Sequence, residues 1–296
     1  MKKVLLFSFA SLLITNFLFG QEALKIEKEK FGHEIYNVSP HPKAEFKVLE
    51  NGFRYILLPN KTPEKRVLVY LYVDSGSLNE TDKQQGLAHF LEHMAFNGSK
   101  NFPAGTLIEF FKKMGMNFGG DTNAHTSFDE TVYKLNLPEE KFREDSIKIM
   151  ADYAMNLLLS SDEIEKEKGV IVEEIRMYQD SPHRHVNDLF MNLVYSDQPA
   201  GWNIAGNEGT VKSFKREDFV KYLSEHYVAE ATTVVISGTF DEKDAIEKVE
   251  KAFLNISNEK KHTKLAVKEE QNKPQTLLKF KETEQAHLIL GVRSFD

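Results

Sequence analysis

Residues 86–96 read GLAHFLEHMAF, an almost wholly apolar stretch interrupted by His89, Glu92 and His93. An α-helix turns about 100° per residue, so these three polar side chains share one face within about 100° of arc. Two imidazoles at i and i+4 can bind zinc through ring nitrogens, and the glutamate between them can take a proton from an attacking water. The order H-x-x-E-H inverts the commoner H-E-x-x-H. Polar groups set in an apolar helix are costly to bury without mutual satisfaction or a metal. The competing reading is a pair of core histidines satisfied by hydrogen bonds alone.

A catalytic zinc takes three protein ligands and keeps a fourth position open, so a third ligand must come from elsewhere. The chain has no cysteine, which leaves only histidine and carboxylate donors. The segment Asp162 to Gln179 predicts a helix. With Glu167 as zero on its wheel, Ile164, Ile171, Ile175 and Tyr178 fall at about +20° to +80° and define a buried stripe. Glu174 lies at about −20°, on the edge of that stripe, and Glu173 at about −120°, nearly opposite. Glu174 is therefore the candidate third ligand. Glu167, two turns earlier, is placed to accept from the free ring N–H of a liganding histidine. The alternative for both glutamates is a solvated face paired with Lys168 or Arg176.

Upstream, Phe46 to Leu58 reads as two strands around the turn dipeptide Asn51-Gly52. VLVYLYV, residues 67–73, reads as a central strand buried on both faces. Thr81 and Gln84 have capping-box spacing and put a helix start just before Gly86. Further helices are predicted over 106–114, 139–159, 162–179, 186–194, 216–227 and 243–253, and strands over 123–127, 131–136 and 232–239. From Asn258 to Pro274 the composition turns polar and rich in lysine and glutamate, and strand-like segments follow at Thr276–Phe280 and His287–Val292. Strands first, helices massed in the middle and a returning strand indicate an α+β arrangement rather than strict βαβ winding.

The chain has 296 residues, 41% of them hydrophobic, enough for a substantial core. Its formal charge of −7 is spread along the sequence and offers no basic field for nucleic acid. Lys2 and Lys3 precede an apolar run ending near Gly20, the layout of a secretory signal peptide. As a membrane anchor the run is short of the roughly 20 apolar residues a span needs. The expectation is export with cleavage near Gly20, a periplasmic or secreted protein, and no membrane span after cleavage.

Three separated segments, GLAHFLEHMAFNGSKNFP, GGDTNAHTSFDETVYKLNLP and EKEKGVIVEEIRMYQD, resemble the pitrilysin/insulinase family of zinc peptidases in order and spacing. The resemblance runs from about Val48 to Phe253. It implies one zinc ion held by His89, His93 and Glu174, with Glu92 as general base and Glu167 in support. It also implies that the strand containing Asn123, Ala124 and His125 is an exposed edge that pairs with extended substrate; turn and strand-surface packing is the alternative for Asn123 and His125. His183 and His185, which flank Arg184, read as a solvated loop rather than a second metal pair.

The expected fold is α+β, a metallopeptidase half whose mostly antiparallel mixed sheet packs against several helices, followed by the start of a truncated second homologous domain. The expected order is a signal peptide over 1–20, an extension over 21–43, a zinc-binding peptidase domain over 44–255, a linker over 256–274 and the beginning of the second domain over 275–296. Family members enclose substrate between two homologous halves, so a second half, in a longer chain or a partner subunit, is an expected partner beside the peptide or unfolded polypeptide substrate. The expected function is zinc-dependent endopeptidase. The alternative is a half that binds peptides or acts as a scaffold and needs its missing counterpart for activity.

Overall fold

A computed structural model describes residues 31–259, 274–280, 282 and 285–292, apart from Asn37, Phe118 and Asp197. The segment expected as a signal peptide, residues 1–20, and most of the expected linker lie outside the described residues. The chain divides into two units at Val38–Ser39. The first contains one short helix, α1 (Gly32–Ile35).

The second unit is an α+β fold around a six-stranded mixed sheet. Its strands are β1 (Glu45–Val48), β2 (Arg54–Pro59), β3 (Val67–Val73), β4 (Thr122–Thr126), β5 (Thr131–Leu137) and β6 (Thr232–Gly238), in the order β1-β2-β6-β3-β5-β4. Only the β2–β6 pair is parallel. Val69 pairs with Leu135 on one side and Ile236 on the other, which sets a row of buried aliphatic side chains across the sheet. β4 lies at the end of this order, so one of its edges carries no partner strand among the described residues.

The remaining helices are α2 (Leu87–Met94), α3 (Thr106–Lys113), α4 (Arg143–Met155), α5 (Ser161–Asp180), α6 (Pro182–Val194), α7 (Glu208–Ser213), α8 (Arg216–His226) and α9 (Glu242–Phe253). α4 packs on β3 and β5, α9 on β2 and α4, and α2 against β4, β5, α5 and α8. Phe90 of α2 meets Phe219 of α8 edge to face, with ring centroids 4.8 Å apart. Burial of Leu87, Ala88, Phe90, Leu91 and Met94 fixes the roll of α2 and therefore the direction in which its two histidines face.

Several local expectations are corrected. β3 is central, but only Val67, Val69, Leu71 and Val73 are buried; Leu68 is 38% exposed, and Tyr70 and Tyr72 are half-buried. Helices therefore cover one face of this antiparallel region more fully than the other. Thr81 and Gln84 cap a separate 3-10 turn, Asp82–Gln84, rather than α2. α2 starts afresh after Gly86, whose φ of 92° breaks the run. The helix expected over 139–159 stops at Met155, because Asn156 and Leu158 bond back to Lys100 and Gly98. His183 and His185 lie in the first turn of α6, which Pro182 opens at its first helical position, rather than in a loop. Thr276–Phe280 and His287–Val292 form no strand, because no described strand pairs with them; their large apolar side chains are mostly exposed.

Candidate functional site

The site forms where α2, β4 and α5 meet. Gly86 lets α2 start close against the loop at 203–206: a Cβ on Gly86 would lie 2.5 Å from the Ala205 carbonyl oxygen, and one on Gly206 would lie 2.2 Å from the Gln85 carbonyl oxygen. Glu80, which is 0% exposed, accepts from Gly86 N at 3.0 Å and Ala88 N at 2.8 Å and so closes the N-terminus of α2. Burial raises the Glu80 carboxyl to about 8 against the pull of the amides of Ala88, Gly86 and Leu87. A fixed start and a buried apolar flank leave the opposite flank of α2 to present His89, Glu92 and His93 to one cavity.

α5 supplies the other wall. Its buried positions are Ile164, Ile171, Val172 and Ile175. Glu173 points away and pairs with Arg176 at 2.6 Å, while Lys168 pairs with Glu165, so neither cation reaches Glu167 or Glu174. Those two glutamates meet the histidines instead. His89 Nε2 lies 3.7 Å from Glu174 Oε1, and His93 Nε2 lies 3.4 Å from Glu174 Oε2. One ligand atom from each of His89, His93 and Glu174 falls within 4.8 Å of the others. Bonds of about 2.0–2.1 Å at tetrahedral angles place zinc donors about 3.3–3.4 Å apart, so the donor types suit zinc and the His93 Nε2–Glu174 Oε2 spacing of 3.4 Å matches that geometry.

The surrounding groups orient these donors. Glu167 Oε1 lies 2.8 Å from His93 Nδ1, and its Oε2 accepts from Asn97 Nδ2 at 2.7 Å. Tyr178 donates to Glu174, and the Arg184 guanidinium lies over the Tyr178 ring, 4.1 Å from its centroid. Thr126 Oγ1 donates to Glu92 Oε2 at 2.7 Å.

Electrostatics separate the two histidines. Burial and neighbouring His93 lower the His89 imidazole to about 4, which keeps it neutral and able to ligate. Burial also pulls His93 down, but its bonds to Glu167 and Glu174 outweigh this and raise it to about 9. Glu174 is pushed up by burial yet brought down to about 2 by the His93 and Tyr178 hydrogen bonds. Burial raises Glu92, against the opposing Thr126 hydrogen bond.

Asn123, Ala124 and His125, on β4, line the same cavity. Asn123 Oδ1 accepts from Ala124 N at 2.9 Å, and His125 Nε2 lies 3.2 Å from Glu130 Oε1. Residues not singled out in the sequence complete the walls: Thr126, Phe128, Asn187, Met191 and the run Trp202–Ala205. Thr126 was legible through alternation along β4, because Ala124 and Thr126 share a face. Trp202 had no sequence signal linking it to α2.

The site thus joins a mixed sheet and flanking helices to a His-x-x-Glu-His helix that faces a glutamate-bearing helix, and H-x-x-E-H is the inverted form of a zinc-peptidase motif. Residues 55–208 match the model of the insulinase peptidase family M16, and residues 213–296 match that of the M16 inactive domain. The chain belongs to the insulinase family of peptidases, M16. It is 32% identical over 83% of its length to YmxG, an uncharacterized zinc protease of Bacillus subtilis, and 34% identical over 67% to PqqL, a probable zinc protease of Escherichia coli. The crystal structure of the periplasmic protease PqqL from E. coli superposes with a TM-score of 0.73 at 28% identity, covering 79% of this chain and 26% of PqqL. The chain spans 58% of the length of YmxG and 22% of that of the PqqL sequence. Among the described residues, no helix is long and apolar enough to cross a membrane.

Proposed function

We propose that this protein is the metal-binding half of an exported zinc endopeptidase that hydrolyses extended peptides or unfolded polypeptides. The observation that carries the reading is the convergence of His89, His93, Glu174 and Glu92 in one cavity, beside a strand edge with no partner strand among the described residues. His89, His93 and Glu174 would hold one zinc ion. When bound, zinc polarises the scissile carbonyl and lowers the pKa of water toward about 7.

Glu92 takes the proton of the attacking water and returns it to the leaving amine. Its burial raises its affinity for a proton and so suits it to take that proton from the water. Glu167 keeps the His93 ring turned with Nε2 toward Glu174. The outer edge of β4, at Asn123, Ala124 and His125, binds substrate backbone by strand addition, which accepts many sequences because main-chain groups are common to all peptides. Export is supported by the apolar leader over 1–20 and by the periplasmic location stated for E. coli PqqL.

The domain organisation inferred is a peptidase domain over 44–255, a linker over 256–274 and the start of a second domain over 275–296. A second reading is a half that binds peptide without cleaving and depends on a homologous counterpart. Residues 213–296, which match the M16 inactive domain and contain none of His89, Glu92, His93 and Glu174, would be the part of such a half that carries no metal ligand.

The deciding experiment measures zinc content and cleavage of internally quenched peptides by protein purified from Gln21 onward. Wild type is compared with Glu92→Gln, alone and with a candidate second half. Zinc near one per chain with Glu92-dependent cleavage establishes the peptidase; zinc without cleavage under either condition favours the binding-only half. Absence of zinc overturns the ligand assignment.

A further inference from the structure

A single hydrogen bond joins the strand that would receive substrate to the carboxylate that would move the proton. Thr126 Oγ1 donates to Glu92 Oε2 at 2.7 Å, the one side-chain hydrogen bond to Glu92 recorded among the described residues. Glu92 is 7% exposed, so an unheld carboxylate there would have little solvent to fix its orientation. Thr126 is itself anchored. It ends β4 opposite Thr131, whose hydroxyl donates to the buried carbonyl of Ser75 at 2.9 Å. Ala124, two residues earlier, pairs with Tyr133, so the backbone at this end of β4 is set by the sheet.

We propose that Thr126 is a positioning residue: by holding Glu92 Oε2 it leaves Oε1 for proton transfer and ties the base to the strand along which substrate lies. Strand and base then keep one relative position, so a peptide added to the β4 edge arrives in register with the carboxylate. The inference rests on the zinc-peptidase reading for its kinetics and on the side-chain geometry alone for its structural part. A hydroxyl at this position is required, whereas a methyl group of similar shape is not sufficient.

The test uses Thr126→Val, which keeps the shape without the donor, and Thr126→Ser, which keeps the donor without the methyl, beside wild type and Glu92→Gln. Zinc content, kcat and KM on a quenched peptide, and crystal structures are measured, with Thr126→Ala replacing the valine variant should that not fold. Thr126→Val is expected to lower kcat by about 10- to 100-fold, the scale of a misplaced catalytic group. KM should stay within about twofold and zinc at the wild-type level, and Thr126→Ser should recover most of kcat. In the crystal, the Glu92 carboxylate should leave its wild-type position in the valine variant and keep it in the serine variant. An unchanged kcat, a rise in KM with kcat preserved, a serine variant as impaired as the valine one, or an unmoved carboxylate overturns the proposal. If wild type cleaves nothing, the peptidase reading fails, and the carboxylate position in the two variants decides the role of Thr126 by itself.

Discussion

His93 Nδ1 and Glu167 Oε1 lie 2.8 Å apart, although 74 residues separate them in the chain. This contact leaves Nε2 as the ring atom directed to Glu174 and is reinforced by Asn97, which binds the other oxygen of Glu167. Glu167→Gln should weaken zinc binding by about 10- to 100-fold while leaving the fold intact. Competition against a chelator of known affinity, with circular dichroism as the control for folding, measures this.

The raised pKa of His93, about 9 in the metal-free protein, has a consequence for metal uptake. Below that pH the ring carries a proton that must leave before Nε2 can ligate, whereas His89 is already neutral and Glu174 already ionised. The zinc Kd should therefore rise by about tenfold for each unit of pH lowered from about 8 to about 5. Zinc titrations across that range, with the slope approaching one proton released per ion, check the relation.

Glu173 and Glu174 are neighbours with opposite surroundings. Glu174 faces both histidines, while the Glu173 side chain is 70% exposed and paired with Arg176. Glu174→Gln should abolish stoichiometric zinc after dialysis, and Glu173→Gln should retain it with stability changed by no more than about 0.5 kcal/mol.

Glu80 links stability to pH. Its carboxyl is raised from 4.5 to about 8 by burial, so the folded state favours the protonated form. The stability contributed is full below about pH 4.5 and is lost as pH rises through about 8. Thermal melts of metal-free wild type and Glu80→Gln between pH 5 and 9 should diverge in this sense: the Tm of the variant, relative to wild type, climbs with pH. A constant difference across the range would remove Glu80 as the source.

Gly86→Ala should destabilise the protein by about 2–5 kcal/mol. A side chain there would adopt φ near 92° and press its Cβ against the Ala205 carbonyl oxygen, so backbone strain and overpacking act together. Urea denaturation measures the loss, and Gly115→Ala is the informative comparison. Gly115 also has positive φ, but a Cβ there meets nothing within 4 Å, so only the backbone strain should remain.

The sequence by itself determined which faces of its helices carry chemistry. Helical rotation places His89, Glu92 and His93 together and separates Glu174 from Glu173 whatever the rest of the chain does, because those relations are local. The alternation and apolar runs of the strands marked most of the sheet for the same reason. Position-by-position burial in β3, the end of α4 at Met155 and the restart of α2 after Gly86 were not legible, because each depends on a distant partner. The exposure of Leu68 depends on what covers the sheet, the α4 end on bonds to Gly98 and Lys100, and the α2 start on the close approach of Gly206. Only the tertiary structure decided that α2 and α5 meet at the spacing of metal donors, that Thr126 reaches Glu92, and that α6 and Trp202 close the cavity. Those contacts bridge sequence separations of tens of residues, and packing of whole elements sets them rather than any periodicity along the chain.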